Sequence, residues 1–133
     1  MLRSLRCGAA LLICLTFAAC QSGRVEPKKS AVSGTVTLDG KPLSDGGLIY
    51  FKTIATGAID AIDIKNGKYS GSAEPGDRRV EIVVFEIKHV DIDGMKGETK
   101  VNLIPARYNT ESTLTATITA NGPNQFPFEL STK

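Results

Sequence analysis

Apolar and polar residues alternate along most of this chain, and no stretch repeats convincingly at helical spacing. A period of two marks a half-buried strand, because successive side chains point to opposite faces. "VSGTVTL" puts Val32, Val36 and Leu38 on one face with Gly34, and Ser33, Thr35 and Thr37 on the other. The turn "DGKP" (Asp39 to Pro42) follows, then "GGLIYFK" with Leu48 and Phe51 on opposite faces. "AIDAIDI" (Ala58 to Ile64) and "KYSGS" flank Asn66-Gly67, a dipeptide suited to a tight hairpin because both central positions need positive φ. After "EPGD" comes the longest alternating run, Arg79 to Val90. Val80, Ile82 and Val84 share one face; Glu81, Val83, Phe85 and Ile87 share the other. Apolar residues on both faces predict a central strand covered on each side.

"DIDGMKGETK" reads as a polar, glycine-rich excursion, after which "VNLIPARYN" returns to the body. "TLTATIT" and "QFPFEL", separated by Asn121-Gly122, predict a last hairpin with Phe126, Phe128 and Leu130 inward and Pro127 outward. The sum is an all-β chain: a single antiparallel β-sandwich of about seven strands over residues 32–133, Ig-like or prealbumin-like.

The first residues follow another rule. Arg3 and Arg6 precede a short apolar run, Cys7 to Phe17, which ends at Ala18, Ala19 and Cys20. The run is too short for a spanning helix, which needs ~20 apolar residues. A positive start, a short apolar stretch and a small-residue site make an export signal, here residues 1–19. "TFAAC" resembles a bacterial lipoprotein box, with Phe17 where leucine is usual. That resemblance implies cleavage before Cys20 and acylation of its sulfur. The other reading is an ordinary signal cut after Ala19, which leaves an exposed thiol. Residues 20–31 are polar and contain proline, and so form a flexible tether. Gln21 stands where an aspartate would resemble an inner-membrane retention signal, so the outer membrane of the cell envelope is favoured.

Removal of residues 1–19 changes the charge. The full chain carries 16 basic and 14 acidic residues, and the segment takes two arginines with it, leaving the remainder formally neutral. No basic stripe remains for nucleic acid, so none is expected as a partner. Cys7 and Cys14 leave with the signal. The remaining domain of ~100 residues must then be held by its core, without disulfides.

Three stretches taken in order resemble carboxypeptidase regulatory-like, transthyretin-like domains of small planctomycete-type lipoproteins: "VSGTVTLDGKPL", then "DIKNGKYS" with "PGDRRVEIVV", then "IPARYN" with "TLTATI" and "NQFPFEL". The resemblance implies a non-catalytic sandwich of open ligand identity. It does not extend to the transthyretin-like hydroxyisourate hydrolases, which use several histidines and a tyrosine-arginine-glycine-serine motif; this chain has His89 alone and reads "FELSTK".

Candidate chemistry is sparse. His89, Asp91 and Asp93 would share one strand face, an arrangement able to hold a metal. The spacing departs from the calcium-loop pattern at Gly94, and a solvated loop is the better reading. No activated nucleophile stands beside the single histidine, so no enzyme and no cofactor are expected. Arg107, Tyr108 and Asn109 are candidates to contact a ligand, although plugging the end of the sandwich is the better reading of Tyr108; Tyr69 has the same two readings and the same preference. Lys41 or Lys52 with Asn124 would suit an isopeptide crosslink. The expected function is that of an envelope lipoprotein with a structural or protein-interaction role, the membrane anchor and envelope proteins as its partners. The first alternative is a carbohydrate-binding module acting through the Asp91–Lys100 loop and Arg107–Tyr108; the second, ranked last, is a metal-dependent enzyme.

Overall fold

The computed structural model describes residues 26–133. The expected signal, Cys20 and the first part of the tether lie outside the described residues. Within them the chain is all-β, with a single 3-10 turn at Ala106–Tyr108. The strands are β1 (Ser30–Leu38), β2 (Lys41–Pro42), β3 (Gly47–Thr53), β4 (Ile59–Lys65), β5 (Lys68–Ala73), β6 (Gly76–Ile92), β7 (Met95–Asn102), β8 (Thr115–Ile118) and β9 (Phe128–Leu130). They build one curled sheet in the order β2-β1-β5-β4-β3-β6-β7, with β8 added to β6 and β9 to β1. Every strand pairing is antiparallel except β1 with β9. Pairing begins at Ser30, opposite Ala73, so the sheet takes in the last two residues of the expected tether.

Local chemistry explains the hairpins. Asp39-Gly40, Asn66-Gly67 and Asp93-Gly94 all have two successive positive φ angles, 50° and 78°, 49° and 68°, 54° and 82°. That pair of values is the two-residue turn whose twist matches the strands it joins, and Asp-Gly or Asn-Gly adopts it at low cost. The third of these turns corrects the expected glycine-rich excursion. Asp91 and Ile92 end β6, Asp93 and Gly94 make the turn, and the residues after it form β7, paired with β6 from Ile92–Met95 to Phe85–Asn102.

Inward positions of β1, β3, β4, β5 and β6 supply the core: Val32, Val36, Ile49, Phe51, Ile62, Ile64, Tyr69, Val80, Ile82 and Val84. Ile118, Phe128 and Leu130 pack against them from β8 and β9. Phe126 and Tyr108 are half-buried at the margin, and Pro127 faces out. The expected last hairpin does not form. β8 pairs with the start of β6, and β9 lies beside β1. The reason is backbone satisfaction elsewhere: Phe126 donates to the Ser33 carbonyl and Ser33 to that of Asn124, so this segment adds to β1 before β9 begins.

A buried amide closes the curl. Asn124 Nδ2 donates to the Ala31 carbonyl at 3.1 Å and to the Thr119 carbonyl at 2.9 Å, while its Oδ1 accepts the Thr119 N–H at 2.8 Å. Asn124 thus joins the start of β1 to the chain leaving β8. Its amide is occupied by backbone, and Lys52 pairs with Glu81 at 2.6 Å, whereas Lys41 is exposed. Neither lysine of the expected crosslink has Asn124 as a hydrogen-bond partner. Asp60 is buried at the end of the sheet where the tether arrives, held by Lys29 at 2.8 Å and by the Glu74 N–H at 3.0 Å.

Candidate functional site

β6 is one strand with two environments. From Arg78 to Val84 it is flanked by β3 and, at its start, by β8. Both faces are covered there: Val80, Ile82 and Val84 enter the core, and Glu81 and Val83 are buried on the other side, Glu81 between Lys52 and Arg79. From Phe85 onward its only partner among the described residues is β7. The resulting arm extends eight residues beyond the body, about 27 Å at strand rise. Phe85 is 49% exposed, Ile87 56%, Ile92 65% and Met95 75%. The expected central strand therefore holds for its first half only.

The direction of the arm follows from register. Ser30 pairs with Ala73 at the end of the sheet where β6 begins, and Gly47 pairs with Val84 at the other end, where the arm leaves. The tether therefore joins the body at the end opposite the arm.

The residues singled out for metal lie on the arm. His89 stands opposite Glu98, with Nδ1 3.4 Å from the carboxylate, and its side chain is 82% exposed. Asp91 Oδ1 accepts the Gly94 N–H at 3.0 Å, while Asp93 is a turn residue with positive φ. His89 and Asp91 share a face as expected, but Asp93 leaves it at the turn. Among the described residues no three histidine, cysteine or acidic groups gather as a metal site.

Arg107, Tyr108 and Asn109 come together on and just after the 3-10 turn. The Arg107 guanidinium lies 4.9 Å from the centre of the Tyr108 ring and donates to the carbonyls of Ser131 and Lys133. The Tyr108 hydroxyl accepts the Ser131 N–H at 3.1 Å. Arg107 and that N–H stabilise the phenolate, which lowers the Tyr108 pKa from the usual phenol range. Asn109 is buried and donates to the carbonyls of Ile104 and Pro105, each at 3.0 Å. All three side chains hold loop and tail backbone. Tyr69 is 3% exposed and donates to the Phe126 carbonyl at 2.7 Å, the plug expected of it, and burial pushes its pKa up.

One concave surface was not visible in the sequence. An open groove of about 740 Å³ runs over the outward side of β1, β5 and β4, walled by residues 125–127. Thr35, Asp63, Lys65, Lys68 and Ser70 line its floor, with Phe126 at the wall. They offer hydroxyl, ammonium and carboxylate groups beside one aromatic ring, a set suited to hydrogen bonding with a polar ligand. The wall stands this close because Gly34 has no side chain: a Cβ there would overlap the Phe126 carbonyl oxygen. These residues are outward positions of three strands, and only the pairing of β1 with β5 and of β5 with β4 brings them together. The arm did leave a signal, Asp93-Gly94 between Ile92 and Met95, the same dipeptide logic that marked the other two hairpins.

In comparisons with protein-family models, curated proteins and solved structures, nothing matches this chain.

Proposed function

We propose that this chain is a lipid-anchored, non-enzymatic domain of the cell envelope that presents the β6–β7 arm for protein contact. The observation that carries this reading is the arm, an apolar-tipped ribbon that no other described residue covers on either face, at the opposite end of the body from the tether. Monomeric proteins seldom leave such surfaces without use, and a two-stranded ribbon is marginal in water on its own. The anchor rests on the signal-like residues 1–19 and Cys20, with Gln21 favouring the outer membrane. In the same reading the curled sheet is a prealbumin-like sandwich of the carboxypeptidase regulatory-like class. Support comes from β1, which bonds β5 on one edge and the segment containing β9 on the other, so that core residues face one another across it.

Two measurements on the membrane-extracted protein test this reading. Mass spectrometry is expected to find an acylated Cys20 as first residue. A photo-reactive residue in place of Ile92 is expected to give protein adducts in intact membranes, and one in place of Lys68 is not. A chain that begins at Met1, or no adduct from position 92, overturns it.

The groove favours a second reading, a carbohydrate-binding module. It moves the expected contact from Arg107–Tyr108, whose groups are engaged with the tail, to Thr35, Lys68 and Phe126. Glycan binding that is lost in Lys68→Ala with the fold intact by circular dichroism would support it; no glycan signal would end it.

A further inference from the structure

The free edge of β7 carries a pattern that complements itself. In a two-residue hairpin the residues next to the turn, here Ile92 and Met95, bond each other, and Leu103 N–H donates to the Val84 carbonyl at 2.8 Å. Odd-numbered residues of β7 therefore turn their backbone groups toward β6. Lys96, Glu98, Lys100 and Asn102 turn theirs to the open edge. Their side chains also share one face, in the order plus, minus, plus, amide. Among the described residues no strand pairs along that edge.

We propose that the partner of the arm is a second copy of this chain, joined by antiparallel pairing of β7 with β7 about Thr99. This rests on the reading of the arm as an interaction element and adds the identity of what it binds. A two-fold pair must centre on one residue, because a centre between residues sets edge-facing groups against inward-facing ones and leaves backbone unpaired. Centring on Glu98 sets Glu98 against itself, and centring on Lys100 sets Lys100 against itself; like charges directly opposite are destabilising. Centring on Gly97 overlaps only the outer half of the strand. Centring on Thr99 engages the whole strand. Glu98 then lies opposite Lys100 of the second copy, twice by symmetry, and Lys96 lies opposite Asn102. Val101 meets Gly97, which leaves it room, and the exposed Met95 comes level with the exposed Leu103 of the second copy. Thr99 meets Thr99 at the axis, a favourable cross-strand pair.

The alternative use of edge lysines is to repel other strands. The Glu98-centred register sets Lys96 against Lys100 and the Lys100-centred register sets Lys100 against itself, whereas the Thr99-centred register brings Glu98 against Lys100 along the full strand. Pairing places the two tether ends at opposite extremes of an elongated dimer.

Thr99 supplies the test. Its backbone groups face β6, so the symmetric contact is a non-hydrogen-bonded pair with Cα atoms ~4.5 Å apart, within disulfide reach. In membranes carrying the full chain, mild oxidation of Thr99→Cys is expected to give a covalent dimer. Gly97→Cys, Lys68→Cys and the parent chain, whose own cysteines lie at positions 7, 14 and 20, are expected not to. Adding Glu98→Lys to Thr99→Cys is expected to cut the crosslinked fraction about tenfold, as two opposed pairs worth a few tenths to one kcal/mol each become repulsive. Adding Lys100→Glu as well is expected to restore it. Crosslinking no greater than for Lys68→Cys, or equal crosslinking at positions 97 and 99, overturns the proposal. If a photo-reactive residue at position 92 captures a different protein while Thr99→Cys stays uncrosslinked, self-pairing falls and the interaction reading stands. If neither captures anything, both fall.

Discussion

Two halves of one strand show how burial is decided. Residues 78–84 and 85–92 of β6 have similar apolar content, yet the first half lies in the core and the second in solvent. Val80, Ile82 and Val84 fill the inward face, which continues past Val84 as Glu86 and Lys88 while Phe85 and Ile87 stand on the other face. The difference is in the neighbours. β3 pairs with the first half and ends at Gly47, opposite Val84, and the strands that supply the core end near the same level. Beyond that point an inward-facing residue has nothing to face. The period of two runs through both halves and makes one continuous strand, while the change of apolar face at Phe85 and the charges of Glu86 and Lys88 coincide with the level at which its neighbours stop.

The sharpest way to break that comparison is to shorten one isoleucine in each half. Ile82 is fully buried and Ile87 is 56% exposed. Ile82→Ala is expected to lower the unfolding free energy by about 2–5 kcal/mol, because it leaves a cavity as well as losing transfer energy. Ile87→Ala is expected to stay within about 0.5 kcal/mol, as for an ordinary surface substitution. Urea unfolding of both variants measures the difference, and equal losses would mean that the arm is packed in solution as the body is.

A smaller effect is expected where the body depends on close backbone approach. Gly34→Ala forces the Phe126 carbonyl and the Tyr69 hydroxyl away from β1. The expected cost is about 1–3 kcal/mol, that of overpacking a filled site. Amide exchange should show residues 124–128 losing protection first, while β7 on the arm is unchanged. Loss of protection in the arm would show that the two regions are coupled.

The smallest effect concerns the tail. Asp39 accepts hydrogen bonds from the Thr132 hydroxyl at 2.6 Å and the Thr132 N–H at 3.0 Å, and these hold its carboxyl below the usual carboxylate range. A depressed pKa means that the contact contributes fully above the ordinary carboxylate pKa and is lost as pH falls through the lowered one. Protection of the Thr132 amide is therefore expected to fall on acidification, while that of the core strand around Ile82 does not. Asp39→Asn should flatten that dependence, and a Thr132 protection factor that does not change with pH in the parent protein would count against the contact.

Much of the body could be read from residue order alone. The alternation put Val32 and Val36 on one face of their strand and Val80, Ile82 and Val84 on one face of theirs, and Asp39-Gly40 and Asn66-Gly67 placed two hairpins. These are local properties: side-chain period and turn φ depend on neighbours a few residues away. The outer groove and the partner of β9 were not legible, because each depends on which strand lies beside which. Phe128 and Leu130 were rightly inward, but hydrophobicity does not say that the adjoining strand is β1 rather than β8. The Asn121-Gly122 dipeptide between two alternating stretches predicted a closing hairpin and misled for that reason. His89, Asp91 and Asp93 show the same limit: strand parity put them on one face, and the turn at Asp93 removed the third.

Residue order by itself determined the strands, their faces and their two-residue turns, because those follow from steric and solvation preferences within a few bonds. Tertiary structure alone decided that β6 outruns its neighbours, that Asn124 closes the curl, and that Arg107 and Tyr108 hold the tail. Those outcomes turn on where distant segments end and which backbone groups they satisfy, and contacts of that range leave no period along the chain.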